Sequence, residues 1–419
     1  MFSRRRTLAL VAGLAACRPG GRDRAHASEG PPPPRAEFLV AAGDSTFWVR
    51  AAPDGIRRRG SSLMVARFGG DFYEVYTADD DRSFYDALFL GQRVYRRDLV
   101  TGDSALVYRD SVVPAAEQRW ARQHPDESPL RGDEDASEHP TASATAEVSL
   151  LDVHDAYLSV EHRTDVDVGG VTHLHRTVRR VVDLRERRAA TVDDLFGESA
   201  GAAILRDARG LLAAARDSIR DERDPRAETA REAVGDLAFD ARSFSLGDRD
   251  GAPIVTFTVP ETGELATGAA LALAPIPATS PEWWSAIAST LPSTRDSVED
   301  AWHGAGYVVR ARYDSSGEQA ALVIADASGR EWPVGRVPAP VRHLLWLDAP
   351  AIDSTQRLAL ERAFDDAVLY DDQARVATAR HGGRLRLAAM QRHPRRPRFV
   401  PVRRVRKSVD RSHRRHFPT

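Results

Sequence analysis

The sequence carries almost no sulfur chemistry, with one cysteine, Cys17, and 3 methionines in 419 residues. A single thiol cannot form an intramolecular disulfide, and it excludes zinc sites built from two or four cysteines. The function of Cys17 must therefore follow from its position. It stands directly after a short apolar run from Leu8 to Ala16.

Other marks of common protein classes are missing as well. The apolar run is roughly half of the twenty or so residues that a membrane-spanning helix needs. The formal net charge is −2, so the whole molecule is not attracted to nucleic acid or to a cationic partner. No His-Glu-X-X-His zinc helix occurs. The sequence therefore predicts no catalytic site and no cofactor.

The first 17 residues have the layout of a bacterial export signal. A positive segment with Arg4, Arg5 and Arg6 precedes the apolar run. The last four residues, Leu14-Ala15-Ala16-Cys17, resemble the lipobox of bacterial lipoproteins, whose cysteine receives acyl chains that hold the protein to a membrane. The alternative is a plain signal peptide with a chance cysteine. Arg18, in place of an aspartate, favours the outer membrane as the location in the envelope.

The mature chain is expected to be an α+β protein rich in antiparallel β-strands. Residues 18–36, with four successive prolines, predict a flexible tether. Residues 37–110 alternate aromatic or β-branched and polar residues and predict a β-meander module. Residues 111–145 lose apolar content and predict a linker or long loop, apart from a possible helical turn around Trp120.

The second half predicts two further units and a tail. Residues 146–291 indicate a sandwich-like α+β domain, with a hairpin at Gly169-Gly170 and helices within 198–236. Residues 292–390 indicate a small α+β unit, with a hairpin across residues 314–317 and a helix from Ser354 to about Asp366. Residues 391–419 form a basic tail that is expected to be disordered.

The segment from about 157 to 276 resembles the extracytoplasmic domain of RsiV-type proteins, a domain of unknown function. The resemblance lies in Leu158-Ser159-Val160, in Gly169-Gly170 with His173, in Asp183-Leu184, in Asp193-Asp194-Leu195-Phe196 and in Gly268. Val171-Thr172 depart from the family's turn, which has alanine before the histidine. The resemblance implies binding or sensing of an envelope or extracellular ligand, and it implies no reaction.

Three histidines are candidate metal ligands. His173 and His175 are two residues apart on an expected strand and so share one face, and the hairpin could bring His162 opposite them. Three imidazoles on one face can hold zinc. The alternative interpretation is that they are ordinary exposed histidines on a solvated sheet face.

Two other residue groups allow both a functional and a structural interpretation. Asp79, Asp80, Asp81 and Asp86 could form a calcium loop, but their spacing does not match the known calcium-binding loop, and a solvated turn is the simpler interpretation. The pair Trp283-Trp284 could stack on sugar rings or pack into the core at the start of a helix.

The tail could bind an anionic envelope polymer or lipid, because the export signal places it outside the cytoplasm. The alternative is a basic end with no specific partner. The residues expected to contact such a polymer are Arg395, Arg396, Arg398, Arg403, Arg404, Arg406 and Lys407.

Three hypotheses of function follow. The first is a non-enzymatic envelope lipoprotein that binds or senses a ligand, with a membrane as one partner, an envelope glycan or extracellular protein as another, and no nucleic acid. The second is an envelope carbohydrate-modifying hydrolase with a scattered site, which a pocket of converging histidine and carboxylate side chains would favour. The third is a structural factor that binds anionic envelope polymers through its tail. The sequence leaves the oligomeric state open.

Overall fold

The computed structural model describes residues 34–130, 137, 140–168, 171–221, 237–260, 270–296, 298–347, 352–380, 390–391 and 398–399. Cys17, the expected signal and most of the expected tether lie outside these residues. Most described residues belong to antiparallel sheets, and a few helices pack against them. The α+β, β-rich fold class expected from the sequence is confirmed.

A four-stranded sheet, called here the first sheet, pairs three strands near the start of the described chain with one strand from its C-terminal part. Its strands are β1 (Ala36–Ala42), β2 (Ser45–Ala52), β3 (Gly55–Ser61) and β21 (Val341–Trp346), in the order β21-β1-β2-β3. Gly43 makes the tight β1–β2 turn with a φ of 59°, a backbone conformation in which glycine meets no steric penalty. Because strand residues alternate between faces, the two faces of this sheet serve different cores.

The C-terminal sheet covers one face of the first sheet. It consists of β16 (Thr294–Arg295), β17 (Glu299–Gly304), β18 (Tyr307–Tyr313), β19 (Gln319–Ala325) and β20 (Glu331–Pro338) in sequential order. The β18–β19 pairing is the hairpin predicted across residues 314–317. Phe38 and Val40 of the first sheet share a buried core with Trp302 and Ile324 of this sheet.

The central sheet has eight strands and is the largest. Its order is β11-β10-β9-β8-β6-β5-β4, and β7 pairs with β6. The strands are β4 (Met64–Phe68), β5 (Asp71–Ser83), β6 (Ala87–Asp98), β7 (Ser104–Arg109), β8 (Ala142–His154), β9 (Tyr157–Val168), β10 (Val171–Asp183) and β11 (Arg188–Ala189). Residue Val168 pairs with Val171, as the predicted hairpin requires.

The central sheet runs through the expected linker. Strand β6 pairs with β8 in parallel from Ala87 with Ala142 to Leu90 with Thr145, so the sheet continues from residues of 37–110 into residues of 146–291. Helix α1 (Val112–Gln123) makes the crossover between these parallel strands, and its Trp120 is buried against Phe84 and Phe89.

Two helices and a small sheet cover the end of the central sheet. Thr191 begins α2 (Val192–Phe196) with a capping box to Asp194, and α3 (Glu198–Asp221) follows. The small sheet contains β12 (Phe244–Arg249), β13 (Ala252–Pro260), β14 (Ala270–Ala272) and β15 (Ile276–Pro277). Residues 222–236, where a second helix was expected, lie outside the described residues.

The chain then passes through two 3-10 turns, Glu282–Ala286 and Ala288–Thr290. The last long helix, α4 (Ser354–Arg380), starts at the predicted residue and extends beyond the predicted end. Its Leu360 and Phe364 pack on Leu39 and Trp48 of the first sheet. Two short paired strands, β22 (Met390–Gln391) and β23 (Arg398–Phe399), follow.

Candidate functional site

A cavity of about 140 Å³ lies where the first sheet meets the end of β8 and the two 3-10 turns. Its apolar lining includes Leu39 of the first sheet and Val65 of β4. Its polar lining includes Asp152 of β8 together with Arg342 and His343 of β21. An apolar concave space with a few converging polar groups is the usual form of a small-ligand site.

Two distant strands bring the polar residues together. Asp152 and His154 are two residues apart near the end of β8, and positions two apart in a strand point to the same face. The pairing of β8 with β9 shifts between Leu150 and Asp152. Such irregularities turn a strand and redirect its side chains. His343 comes from β21, where it pairs with Ala41 of β1.

Asp152 and His343 form a hydrogen-bonded pair at the cavity. Nε2 of His343 lies 2.9 Å from Oδ1 of Asp152, and Nδ1 lies 3.5 Å from Oγ1 of Thr290. The Thr290 hydroxyl donates to the carbonyl of Ile287 at 2.8 Å. The side chains of His343 and Asp152 are 15% and 21% exposed, so a molecule in the cavity can reach both.

His154 lies behind this pair and is fully buried. Its ring stacks on Trp284 at a centroid distance of 5.2 Å and meets the His343 ring edge-on at 4.9 Å. Neither ring nitrogen has a hydrogen-bond partner within the described part of the chain. The ligand atoms of Asp152, His154 and His343 all lie within 4.8 Å of one another, which makes these residues a candidate metal-binding group.

Burial and neighbouring charges set the protonation states of the group. Burial lowers the pKa of His154 to about 4, against the opposing charge of Asp152 and with the help of His343, Arg295 and Arg342. For Asp152, burial acts to raise the pKa, but His343 and His154 outweigh it and the pKa falls well below its usual range. At neutral pH His154 is therefore uncharged and Asp152 is a carboxylate.

Charged side chains of both signs lie near the group. Arg295 lies 2.8 Å from Asp248 and 3.5 Å from Asp300, so two carboxyl groups face its charge. Burial raises the pKa of both carboxyl groups. Arg342 is the other guanidinium that acts on this cluster, beside the Asp152 carboxylate.

A second concave surface, called here the strand groove, has a volume of about 600 Å³ and lies on β8, β9 and β10. Glu161 binds Arg163 at 2.7 Å and Arg179 at 3.2 Å, so charges in the groove are matched within it. These residues occupy outward positions of an antiparallel sheet, where polar side chains are expected without any function. The strand groove is therefore the weaker candidate.

The three histidines predicted to share one face do not do so. His162 pairs with Val178, whereas His175 pairs with Asp165. Opposed residues point to the same face, and positions 175 and 178 are an odd number apart, so His162 and His175 lie on opposite faces. The side chain of His173 lies outside the described part. The expected three-histidine arrangement is therefore wrong. The register of β9 against β10 places the rings on different faces, and the position of the hairpin turn alone did not determine that register.

His162 belongs instead to a buried polar cluster. Its Nε2 lies 3.2 Å from Asp110, and its Nδ1 lies 3.2 Å from the Tyr108 hydroxyl. Burial lowers the pKa of His162 and raises that of Tyr108 to about 12. Asp110 also accepts the backbone N–H groups of Val112 and Val113 at the start of α1. The cluster holds the crossover helix on the sheet, so its role is structural.

The acidic residues expected in a loop lie mostly in a strand. Asp79, Asp80 and Asp81 belong to β5, and only Asp86 lies outside it. Asp80 is bound by Arg93 at 2.7 Å and by Arg109 at 3.1 Å. The loop expected for these residues is therefore wrong for Asp79, Asp80 and Asp81, because they pair with β6 as part of a strand. Asp86 does lie in the turn between β5 and β6.

The tryptophan pair packs into the core rather than standing free for sugar rings. Trp284 is 2% exposed and donates to the carbonyl of Gly251 at 2.8 Å. Trp283 donates to the carbonyl of Leu195 at 3.0 Å and contacts the Tyr157 ring. The structural interpretation of this pair is therefore confirmed, and Trp284 also forms one wall around His154.

Most of the expected polymer-binding tail lies outside the described residues, as does Cys17; of the tail residues named above, Arg398 alone is placed, on β23. Among the described helices, none combines the length and apolar character needed to span a bilayer.

Sequence reasoning missed the residues of the main site. The signal on β8 was the alternation Asp152-Val153-His154, which is easily overlooked because it is common on half-buried strands. His343 is 191 residues from Asp152 along the chain, and no local pattern connects them. Only the pairing of β21 with β1 brings this histidine to the cavity.

No known family model matches the sequence, and no curated protein matches it either. A solved structure of a DUF3298 family member from Bacteroides fragilis is weakly similar to this chain. The similarity covers 53% of this chain and 91% of that chain, with a TM-score of 0.25 and 10% sequence identity. The chain thus has a weak structural neighbour in a family of unknown function.

Proposed function

We propose that this chain is a lipid-anchored protein of the bacterial envelope that binds a small ligand in the cavity beside Asp152 and His343. The observation that carries the proposal is the cavity itself, which joins an apolar wall to a hydrogen-bonded carboxylate and imidazole. Both side chains are partly exposed to it. The resemblance of residues 157–276 to RsiV-type domains supports binding or sensing as the general role.

The lining indicates the chemistry of the ligand. Leu39, Leu63 and Val65 suit a hydrocarbon or ring portion, while Asp152 and Arg342 can satisfy a hydroxyl, amine or carbonyl group. A small amphipathic molecule therefore fits better than a highly charged one. We infer that the ligand comes from the envelope or from outside the cell, because the segment ending in Cys17 resembles a bacterial export signal.

A cavity-filling variant tests the binding proposal. Ala41 lines the cavity, and Ala41→Leu extends a larger side chain into it. The full chain is incubated with an organic extract of envelope fractions, washed, and examined by native mass spectrometry. We expect a small adduct on the wild type that is absent from Ala41→Leu. The matched control is Ala105→Leu, at a half-buried position on β7 away from the cavity. Equal adducts on all three chains would contradict the proposal.

Membrane attachment is tested separately. Cys17→Ser should move the full chain from the membrane fraction to the soluble fraction and remove the mass of the acyl chains, because the sulfur is the attachment point. Unchanged fractionation and mass in Cys17→Ser would show that the chain is not a lipoprotein. This outcome would leave the cavity experiment unaffected.

A hydrolase is the second candidate, because a histidine and a carboxylate do converge on a pocket here, with the Thr290 hydroxyl 3.5 Å from His343. The arrangement is incomplete as a nucleophilic triad, since the Thr290 proton is already donated to the Ile287 carbonyl. Hydrolysis is tested by incubating the chain with p-nitrophenyl acetate and with acetylated envelope polymers and measuring the release of acetate. Turnover that is lost in Thr290→Val would establish the hydrolase and overturn the binding role.

A further inference from the structure

We propose that Asp152, His154 and His343 form a binding site for one zinc ion, with an open coordination position facing the cavity. The geometry of these three residues is sufficient for the site, whether or not a small organic ligand binds in the cavity. No pattern in the sequence pointed to these ligands.

The donor set is one that zinc uses. Zinc in proteins binds imidazole nitrogens and carboxylate oxygens, and sites with three protein ligands keep a further position for water or another ligand. Two imidazoles and one carboxylate meet here, with all ligand atoms within 4.8 Å of one another. Among them, Oδ1 of Asp152 and Nε2 of His343 are 2.9 Å apart.

His154 gives an independent reason to expect a ligand. It is 0% exposed, and both of its ring nitrogens lack a hydrogen-bond partner in the described structure. Buried polar groups in folded proteins are almost always satisfied, so an unsatisfied one indicates an unseen partner. Metal coordination would occupy one of these nitrogens, which none of the described side chains does.

The neighbouring side chains orient the ligands. Thr290 faces Nδ1 of His343 and leaves Nε2 directed toward Asp152. A partner on one ring nitrogen commonly fixes which nitrogen of a histidine binds metal. Trp284 stacks on His154 and restricts the rotation of its ring. The three ligands thus come from strands β8 and β21, and the buried Trp284 ring packs against His154.

The open side of the site is defined by the cavity. Asp152 and His343 line it, whereas His154 is not among its lining residues. A zinc ion between the three side chains would therefore have protein behind it and the cavity in front of it. The Asp152 carboxylate offsets part of the charge of a divalent cation, and Asp248 and Asp300 face the charge of the nearby Arg295.

Zinc titration of the full chain tests the proposal. The protein is stripped with a chelator, and zinc binding is followed by competition with a chromophoric chelator and by the melting temperature. We expect one tight site in the wild type and a zinc-dependent rise in melting temperature. Since the chain has 13 histidines, site assignment requires variants.

Asp152→Asn and His343→Gln each remove one ligand with little change in size. We expect each substitution to weaken zinc binding by about 100-fold or more. Removing only a residue that hydrogen-bonds to a metal ligand typically lowers metal affinity by about 10–100-fold, and removing the ligand itself should lower it further. The matched control is His175→Gln, which breaks another Asp–His pair, 3.3 Å from Asp165, outside the proposed site. This control should retain the wild-type affinity and the wild-type rise in melting temperature.

Cobalt spectroscopy on the wild type keeps the proposal testable if a variant fails to fold. Cobalt in the proposed site should give the visible bands of a four-coordinate ion with nitrogen and oxygen donors, and zinc should abolish them. Absence of a tight site in the wild type would overturn the proposal. Tight zinc binding that survives both Asp152→Asn and His343→Gln would overturn it as well, because the ion would then be held elsewhere.

Discussion

Replacing His154 with phenylalanine should remove a defined pH dependence from the stability of this chain. The ring stacks on Trp284, and a phenyl ring can occupy the same position. Neither nitrogen of His154 forms a hydrogen bond to a described residue, so the substitution breaks none. A phenyl ring is slightly larger than an imidazole, and enlarging a packed core side chain typically costs about 1–3 kcal/mol. At pH 7, with chelator present, His154→Phe should therefore fold and lose at most about 1–3 kcal/mol of stability.

The stability of the wild type relative to His154→Phe should change as the pH falls. Burial holds the His154 pKa near 4 in the folded chain, against 6.5 for an ordinary histidine, so below pH 6.5 the unfolded chain takes up a proton that the folded chain does not. The unfolded state then binds more protons, and stability is lost as the pH falls from 6.5 to about 4. The full loss is roughly 3 kcal/mol, since each pH unit in this window is worth about 1.4 kcal/mol.

Urea unfolding at several pH values measures this effect. The free energy of unfolding of the wild type minus that of His154→Phe should fall by roughly 3 kcal/mol across the window. The lowered pKa of Asp152 makes the stability depend on pH only below about pH 4, so it does not change the result between pH 6.5 and 4. A difference that stays constant between pH 6.5 and 4 would refute the account of His154 as a buried neutral imidazole. With zinc present at pH 7, the wild type alone should gain stability.

Three further substitutions test the packing. Phe364→Ala should cost about 3–5 kcal/mol, because its fully buried ring packs α4 on Trp48. Gly304→Ala should cost about 1–3 kcal/mol, because the new methyl group would overlap the Trp346 indole. Thr191→Ala should cost about 0.5–2 kcal/mol, because it removes the side-chain cap of α2. Urea unfolding at pH 7 measures all three.

Each of these has a control in the same chain. Leu358→Ala changes a 47% exposed position on the same helix and should have little effect. Gly210→Ala adds a methyl group where no heavy atom lies within 4 Å and should be neutral or stabilising. Thr191→Ser retains the hydroxyl and should restore most of the cap. Equal losses in a test variant and its control would refute the stated cause.

Local patterns predicted the elements best where the sequence constrained neighbouring residues. The β9–β10 hairpin, the β18–β19 hairpin and the start of α4 at Ser354 are all confirmed. Burial of Trp120 and Trp284 follows the same rule, because large aromatic side chains near apolar neighbours seldom remain exposed. The strand character of Asp79, Asp80 and Asp81 was not predicted, because it depends on pairing with β6 and, for Asp80, on Arg93 and Arg109, which lie further along the chain.

The sequence by itself determined the α+β class and the position of many strands, because these depend on residues close together in the chain. Only the tertiary structure decided which histidines meet. Register put His162 and His175 on opposite faces, and the pairing of β1 with β21 carried His343 to Asp152 and His154. Such contacts form when strands that are far apart in the sequence pair with each other. The spacing of residues within one segment does not show which distant strands will pair.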